Sequence, residues 1–310
     1  MPKFSVAESI TIKASPQQVY DTVADFGTWT TWSPWLCQEP DAKVVVSDSA
    51  NSVGSGYQWH GEIVGQGEME HKDLQPGTRI VQDLRFLKPW KSQAGVTWNF
   101  AAADGGTHAT WTMQGSLPWF MFWMKNMMSG LIGMDYARGL RMLKEYVESG
   151  SVLSATTVKG VETVGPFRMI GVRRSASMDD LGPVMESAIA EACEKLSVAN
   201  VQHNGEVMAA YHDLDFKTRV FDFSTGFVVS DSTPDVPGLS TWSCPQVQAM
   251  TLDHIGRYEN LGNAWSSGYQ QIRFRKLKQN RRMATFERYA NSPENTQPDD
   301  LLTHLYLPLK

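Results

Sequence analysis

In ATFERYA (284–290) the strand period of two sets Phe286 on one face and Glu287 with Tyr289 on the other. A carboxylate turned into an apolar cleft loses hydration. It then needs a protein cation, hydrogen-bond donors or a bound cationic ligand. Tyr258, Trp265, Tyr269 and Tyr211 could supply the walls of such a cleft, and Trp265 and Tyr269 share one helix face because they lie four apart. Each cation–π contact on those rings is worth about 0.5–2 kcal/mol. The same residues also fit a second arrangement, in which Glu287 pairs with Arg288 or Arg257 on a wet face and the rings are core.

Other chemistry-bearing residues give less. His254 ends a strand before a glycine turn, with no Asp or Cys placed for a triad or a metal site, so a core or hydrogen-bonded histidine is expected. RFRKLKQNRR (273–282) holds six cations in ten residues and reads as a solvated helix terminus complementing the helix dipole. ADGGTH (103–108) reads as a hairpin turn, since no helix follows to make a phosphate cradle. Cys37, Cys193 and Cys244 are far apart, with no ligand spacing. Neither a metal nor a cofactor is expected.

The elements that must position these groups fall into two sets. Residues 4–13 alternate as a strand, and Ser15-Pro16 opens a helix with an N-cap and a proline at its first position. GTWTTWSPW follows as a Gly/Trp/Pro-rich loop. From about 43 to 116 the period is two, and Tyr57, Trp59, Ile63, Ile80, Leu84, Phe86, Trp98, Phe100, Trp111 and Met113 share the apolar parity. A long helix from about 119 to 149 covers that aromatic face of an antiparallel sheet. Trp59, Phe86, Trp98, Trp111, Met127 and Met134 are the candidate lining of a hydrophobic pocket; the alternative is an ordinary filled core. After a polar linker (151–159), PFRMIGVRRSASMDDLGPVMESAIAEA (166–192) lines up with 245–272. Leu181-Gly182 then matches Leu261-Gly262 at an offset of 261 − 181 = 80, and MAAYH (208–212) lines up with MATFE (283–287). Two fused βαββ units, about 160–232 and 241–310, would form one sheet with a shared cleft.

The first half resembles the helix-grip START/polyketide-cyclase (SRPBCC) superfamily. The resemblance is carried by ITIKASPQQVYDTVADFGTWTTWSPW, GSGYQWHGEIVGQGEME and GLRMLKEYVE, and covers nearly all of 1–150. It implies a hydrophobic ligand cavity and no particular reaction. Residues 160–310 resemble the gyrase-inhibitor-like small-molecule-binding domain, also the effector domain of multidrug-sensing transcription regulators. That likeness is carried by HIGRYENLG, ATFERYANSPEN and THLYLPLK. It puts the family's characteristic acid on Glu287 and its aromatic neighbour on Tyr289. Some relatives look like hydrolases of strained or electrophilic molecules, which implies Glu287 as a general base and Tyr289 or Tyr258 steadying developing charge.

The expected class is therefore α+β, a helix-grip domain (1–150) joined to a duplicated effector-binding domain (160–310). With 28 basic and 33 acidic residues the net charge is −5, which speaks against a nucleic-acid partner. The stretch 117–134 has the length of a membrane span but carries Lys125, Asn126 and Ser129, so a core-facing helix is expected instead. The N-terminus has no apolar signal core, and a cytoplasmic protein is the expectation. The leading reading is a binding protein for small hydrophobic or cationic molecules. A hydrolase, and a scaffold docking on a regulatory partner protein, are the alternatives.

Overall fold

The computed structural model describes residues 3–116, 123–215 and 218–310, which divide into two units, Met1–Leu153 and Ser154–Lys310. Both are α+β with curled antiparallel sheets.

In the first unit the sheet order is β1-β7-β6-β5-β4-β3-β2. Its strands are β1 (Lys3–Ile12), β2 (Lys43–Val46), β3 (Gly56–His60), β4 (Gln66–Gln75), β5 (Arg79–Lys88), β6 (Ser92–Ala103) and β7 (Gly106–Ser116). Helix α1 (Pro16–Ala24) starts as its sequence dictates, with the Ser15 side chain accepting from the Gln18 amide and proline at the first position. The long helix α3 (Lys125–Ser149) stops at Gly150, whose φ of 85° lets its amide bond the Tyr146 carbonyl. Of the helix expected over 119–149, residues 119–122 lie outside the described residues.

The aromatic parity of the strands builds one stacked core. Trp98 and Trp111 are cross-strand partners with ring centroids 4.4 Å apart, and Tyr136 of α3 stacks on Trp111 at 3.8 Å. GTWTTWSPW does not run as a loop: it contains helix α2 (Trp29–Trp32), whose two end tryptophans are buried edge-on against Trp98 and Trp111 at 6.0–6.2 Å. Burying two indoles outweighs the loop character of Gly, Thr and Pro there. Two other expectations need correction. Ile63 lies in the turn between β3 and β4, where Glu39 accepts from the Glu62, Ile63 and Val64 amides at 2.8–3.0 Å. Met127 faces outward with Leu131, 43% and 42% exposed, because each lies nine residues, about half a turn in phase, from Tyr136 and Leu140, whose side of α3 packs on the core and continues through Met128 and Ile132.

The second unit contains β8 (Ala155–Val164), β9 (Phe167–Ser177), α4 (Leu181–Val198), β10 (Val207–Asp215) and β11 (Val220–Val228). Then come β12 (Ser240–Cys244), β13 (Val247–Ile255), α5 (Gly262–Phe274), β14 (Thr285–Tyr289) and β15 (Leu302–Pro308). Each βαββ copy thus gains a leading strand, and the two leading strands change places. In the order β12-β9-β11-β10-β14-β15-β13-β8, β8 pairs with the second copy and β12 with the first. Residues 155–159, expected in the linker, belong to β8 because they pair with β13, as Thr157 does with Asp253.

If the tryptophan stack fills the first unit, Trp111→Ala costs that unit about 3–5 kcal/mol in urea unfolding. A loss below about 1 kcal/mol would mean that the indole borders open space.

Candidate functional site

The site grows from the centre of the second sheet. β14 lies between β10 and β15, and Glu287 pairs with Ala209 on one side and Leu305 on the other. Tyr211 stands two residues further along β10 and Tyr289 two residues further along β14. Antiparallel pairing therefore sets one phenol on each side of the Ala209–Glu287 pair, on the same face. Ala209 has only a methyl group, so the residue paired with Glu287 on β10 leaves room for both phenols.

Both hydroxyls donate to Glu287 Oε2, Tyr289 at 2.7 Å and Tyr211 at 3.0 Å, while the Trp265 indole N–H from α5 donates to Oε1. Glu287 is fully buried at 0% exposure, whereas Tyr211, Tyr258, Trp265 and Tyr289 are each half-buried. The rings thus stand between the acid and solvent. Tyr258 meets Tyr289 edge-on at 5.4 Å, and Trp265 meets Tyr211 at 5.6 Å. Tyr269 stacks beside Trp265 at 6.2 Å on the outer rim and does not reach the acid.

The arginines proposed as partners for Glu287 are engaged elsewhere. Arg288, one residue on, points through the opposite face to Glu206 and covers the Phe167 ring at 4.6 Å. Arg257 binds Asp299 at 2.9 Å. Among the described residues no cation forms an ion pair with Glu287. Burial drives its pKa up, and the bonds from Tyr289, Trp265 and Tyr211 only partly oppose this. The same burial, with the acid's charge added, pushes Tyr258 up to about 12 and Tyr211 and Tyr289 well above the phenol range. The tyrosines therefore act as neutral donors. A carboxylate under a ring of rings, with donors but no counter-ion, can hold a cation or take a proton from a bound molecule.

Sequence reasoning missed Met185 of α4, whose Sδ lies 3.2 Å from the Tyr289 hydroxyl and shares its proton with Glu287. The signal was present, since 265 − 185 = 80 repeats the offset of the Leu-Gly pairs and makes Met185 the counterpart of Trp265. The MAAYH/MATFE alignment is out of register for the site: it equates Tyr211 with Phe286, yet Tyr211 points to Glu287 while Phe286 stacks on Tyr306 behind the sheet. His254 is buried, with Nε2 3.2 Å from the Arg257 carbonyl, and burial pulls its pKa down. Among the described residues no His, Cys, Asp and Glu cluster could hold a metal.

In the first unit, Trp98 and Trp111 are enclosed by Trp29, Trp32 and Tyr136, and Met127 is turned to solvent. Trp59, Phe86 and Met134 are half-buried. Trp59 packs against Gly67, where an added Cβ would stand 2.2 Å from the indole, and meets Phe86 at 6.0 Å.

A helix-grip sheet followed by a duplicated sheet with an acid at its centre defines a protein of two ligand-binding folds. Residues 3–148 match the family described as polyketide cyclase/dehydrase and lipid transport, and residues 161–310 match the GyrI-like small molecule binding domain. The chain is a fusion of an SRPBCC-type domain with a GyrI-like domain. No curated protein matches it. Among solved structures it is similar to protein CV1439 from Chromobacterium violaceum, at 17% identity and TM-score 0.36 over 47% of this chain and 98% of that one. It is also similar to EcmrR in complex with DNA, at 15% identity and TM-score 0.40 over 62% of this chain and 72% of that one. The Aha1 dimer from Colwellia psychrerythraea is a further likeness, at 18% identity and TM-score 0.34 over 47% and 97%.

The raised pKa has a stability consequence. A carboxyl whose pKa is higher folded than unfolded binds its proton more tightly in the native state, so stability falls as pH climbs from the ordinary carboxylate value of 4.5 through the raised one. Glu287→Gln removes this dependence. At neutral pH without ligand the variant should melt about 2–4 °C higher, and thermal scans across pH should show the wild type converging on it in acid. A variant that melts lower than wild type at neutral pH would mean that the charge is already compensated.

Proposed function

We propose that the second domain binds flat, lipophilic cations at Glu287. The observation that carries this reading is the buried carboxylate without a counter-ion, walled by Tyr211, Tyr258, Trp265 and Tyr289. A cation entering between the rings meets both π-faces and an ionised acid that no protein charge has satisfied. Membership of two small-molecule-binding families supports the broader class. The first domain takes a hydrophobic molecule beside Trp59, Phe86 and Met134, the expected lining residues that are half-buried. The chain then serves to sense or sequester such compounds.

Titrating tetraphenylphosphonium while following tryptophan fluorescence tests the acidic site. Binding should weaken at least about tenfold in Glu287→Gln and should weaken as pH falls, because the acid must ionise to attract the cation. Trp265→Phe keeps a ring but deletes a donor to Oε1, so the pH midpoint for binding should move upward. Equal affinity in wild type and Glu287→Gln would defeat the reading.

A hydrolase is the second reading, favoured by the raised pKa of Glu287 beside two phenol donors. The acid would take a proton from water while a tyrosine hydroxyl donates to the oxygen that gains charge. Incubation with a strained electrophile such as an epoxide separates the two. Turnover that vanishes in Glu287→Gln supports catalysis; stoichiometric binding without product supports recognition alone.

A further inference from the structure

One end of the first domain gathers exposed apolar side chains and lysines. The pairs Lys3–Ser116, Ala94–Gly115, Phe86–Ser92 and Gln66–Lys88 bring the ends of β1, β7, β6, β5 and β4 to that edge. Helix α3 returns to it. The Lys144 ammonium donates to the Thr11 carbonyl at 2.8 Å and Glu148 accepts from the Lys13 amide at 2.7 Å, so the helix C-terminus is fixed at the far end of β1. At 1.5 Å per residue the helix runs about 37 Å. The strand runs about 33 Å, so the first turns of α3 lie back at the Lys3 end.

Trp90 in the β5–β6 turn and Trp123 just before α3 are 60% and 69% exposed, the two exposed tryptophans among the described residues. Leu87, Met127 and Leu131 add 42%, 43% and 42%. Lys3, Lys88, Lys91 and Lys125 stand exposed beside them, and none forms an ion pair among the described residues. Among the described residues the acids at this end are Glu62 and Asp41, which are exposed, and Glu39, whose carboxylate is occupied by the turn amides.

Scattered apolar residues on a surface need no explanation, but five at one end, interleaved with unpaired lysines, do. Protein–protein interfaces are depleted in lysine. Tryptophan and lysine together are the side chains that settle at phospholipid headgroup level, the ring at the acyl boundary and the ammonium against phosphate. We propose that this end of the first domain docks on the surface of an anionic phospholipid bilayer through Trp90, Trp123, Lys88, Lys91 and Lys125. The proposal is independent of the acidic site, so Glu287→Gln serves as a control that should dock like wild type.

The test is co-sedimentation of the full chain with vesicles of phosphatidylcholine, with or without phosphatidylserine. Docking should need phosphatidylserine and be lost at high salt. Trp90→Ala with Trp123→Ala should weaken it at least about tenfold, and Lys88→Gln with Lys91→Gln and Lys125→Gln should abolish the phosphatidylserine dependence. Arg281→Gln with Arg282→Gln, in the basic run of the other domain, should leave it unchanged. Failure to sediment with either vesicle overturns the proposal. So does loss confined to the arginine variant, or undiminished docking by the tryptophan variant. Recovery of a protein bound through the two tryptophans, with vesicles ignored, would reassign the surface.

Discussion

Glu287 is kept from water by a sheet that offers it three neutral donors and no cation, and the arrangement around it follows from having to tolerate a charge there. Removing a carboxylate from water costs several kcal/mol even after a protein relaxes. Hydrogen bonds to a charged acceptor return about 1.5–3 kcal/mol each, so three of them come near to balancing the loss. The upward pKa shows on which side the balance falls. A fixed arginine would close the gap permanently and leave nothing for a ligand to do. Its place is taken by the rings of Tyr211, Tyr258, Trp265 and Tyr289.

Duplication explains how one acid acquires two equivalent donors. A pseudo-twofold through the Ala209–Glu287 pair relates Tyr211 to Tyr289, and the same relation sets Met185 of α4 against Trp265 of α5. Symmetry is broken at the acid itself, since its counterpart is Ala209, and at the helices, where an indole donor faces a thioether acceptor. The cleft therefore has two chemically different sides on a nearly symmetric frame. Exchange of β8 and β12 between the copies ties the halves into one sheet, so the donors cannot drift apart without unpairing edge strands.

Much of this was legible in the sequence, for a physical reason. Strand parity alone separates Phe286 from Glu287 and Tyr289, and helical spacing alone sets Trp265 beside Tyr269. The fold class and both families followed from the order of such elements. What was not legible depends on pairing between segments distant in the chain. Nothing local says that β10 lies against β14 with Ala209 opposite Glu287, so the MAAYH/MATFE likeness sets Tyr211 against Phe286 instead of Tyr289, although Tyr211 was read as a wall of the cleft. Nor does GTWTTWSPW, which reads as a turn, announce that Trp29 and Trp32 close the core. The lining ascribed to Met127 failed because a helix rich in apolar residues on several sides does not say which side meets the sheet: Met128 and Ile132 face the core with Tyr136, and Met127 stands opposite them.

The two domains treat their aromatic residues in opposite ways. In the first, rings satisfy one another: Trp98, Trp111 and Tyr136 stack at 3.8–4.4 Å, and the indole N–H groups of Trp98 and Trp111 are buried without an acceptor. An unmet donor costs about 1–3 kcal/mol, a loss offset only because the indoles bury so much apolar surface. In the second, Tyr211, Trp265 and Tyr289 spend their polar ends on Glu287 and stay only partly buried. Rings whose faces are already stacked have little to gain from a newcomer. Rings whose polar ends are fixed and whose remaining surface is partly exposed gain by covering it, which is the physical ground for proposing the recognition site in the second domain and not in the more tryptophan-rich first.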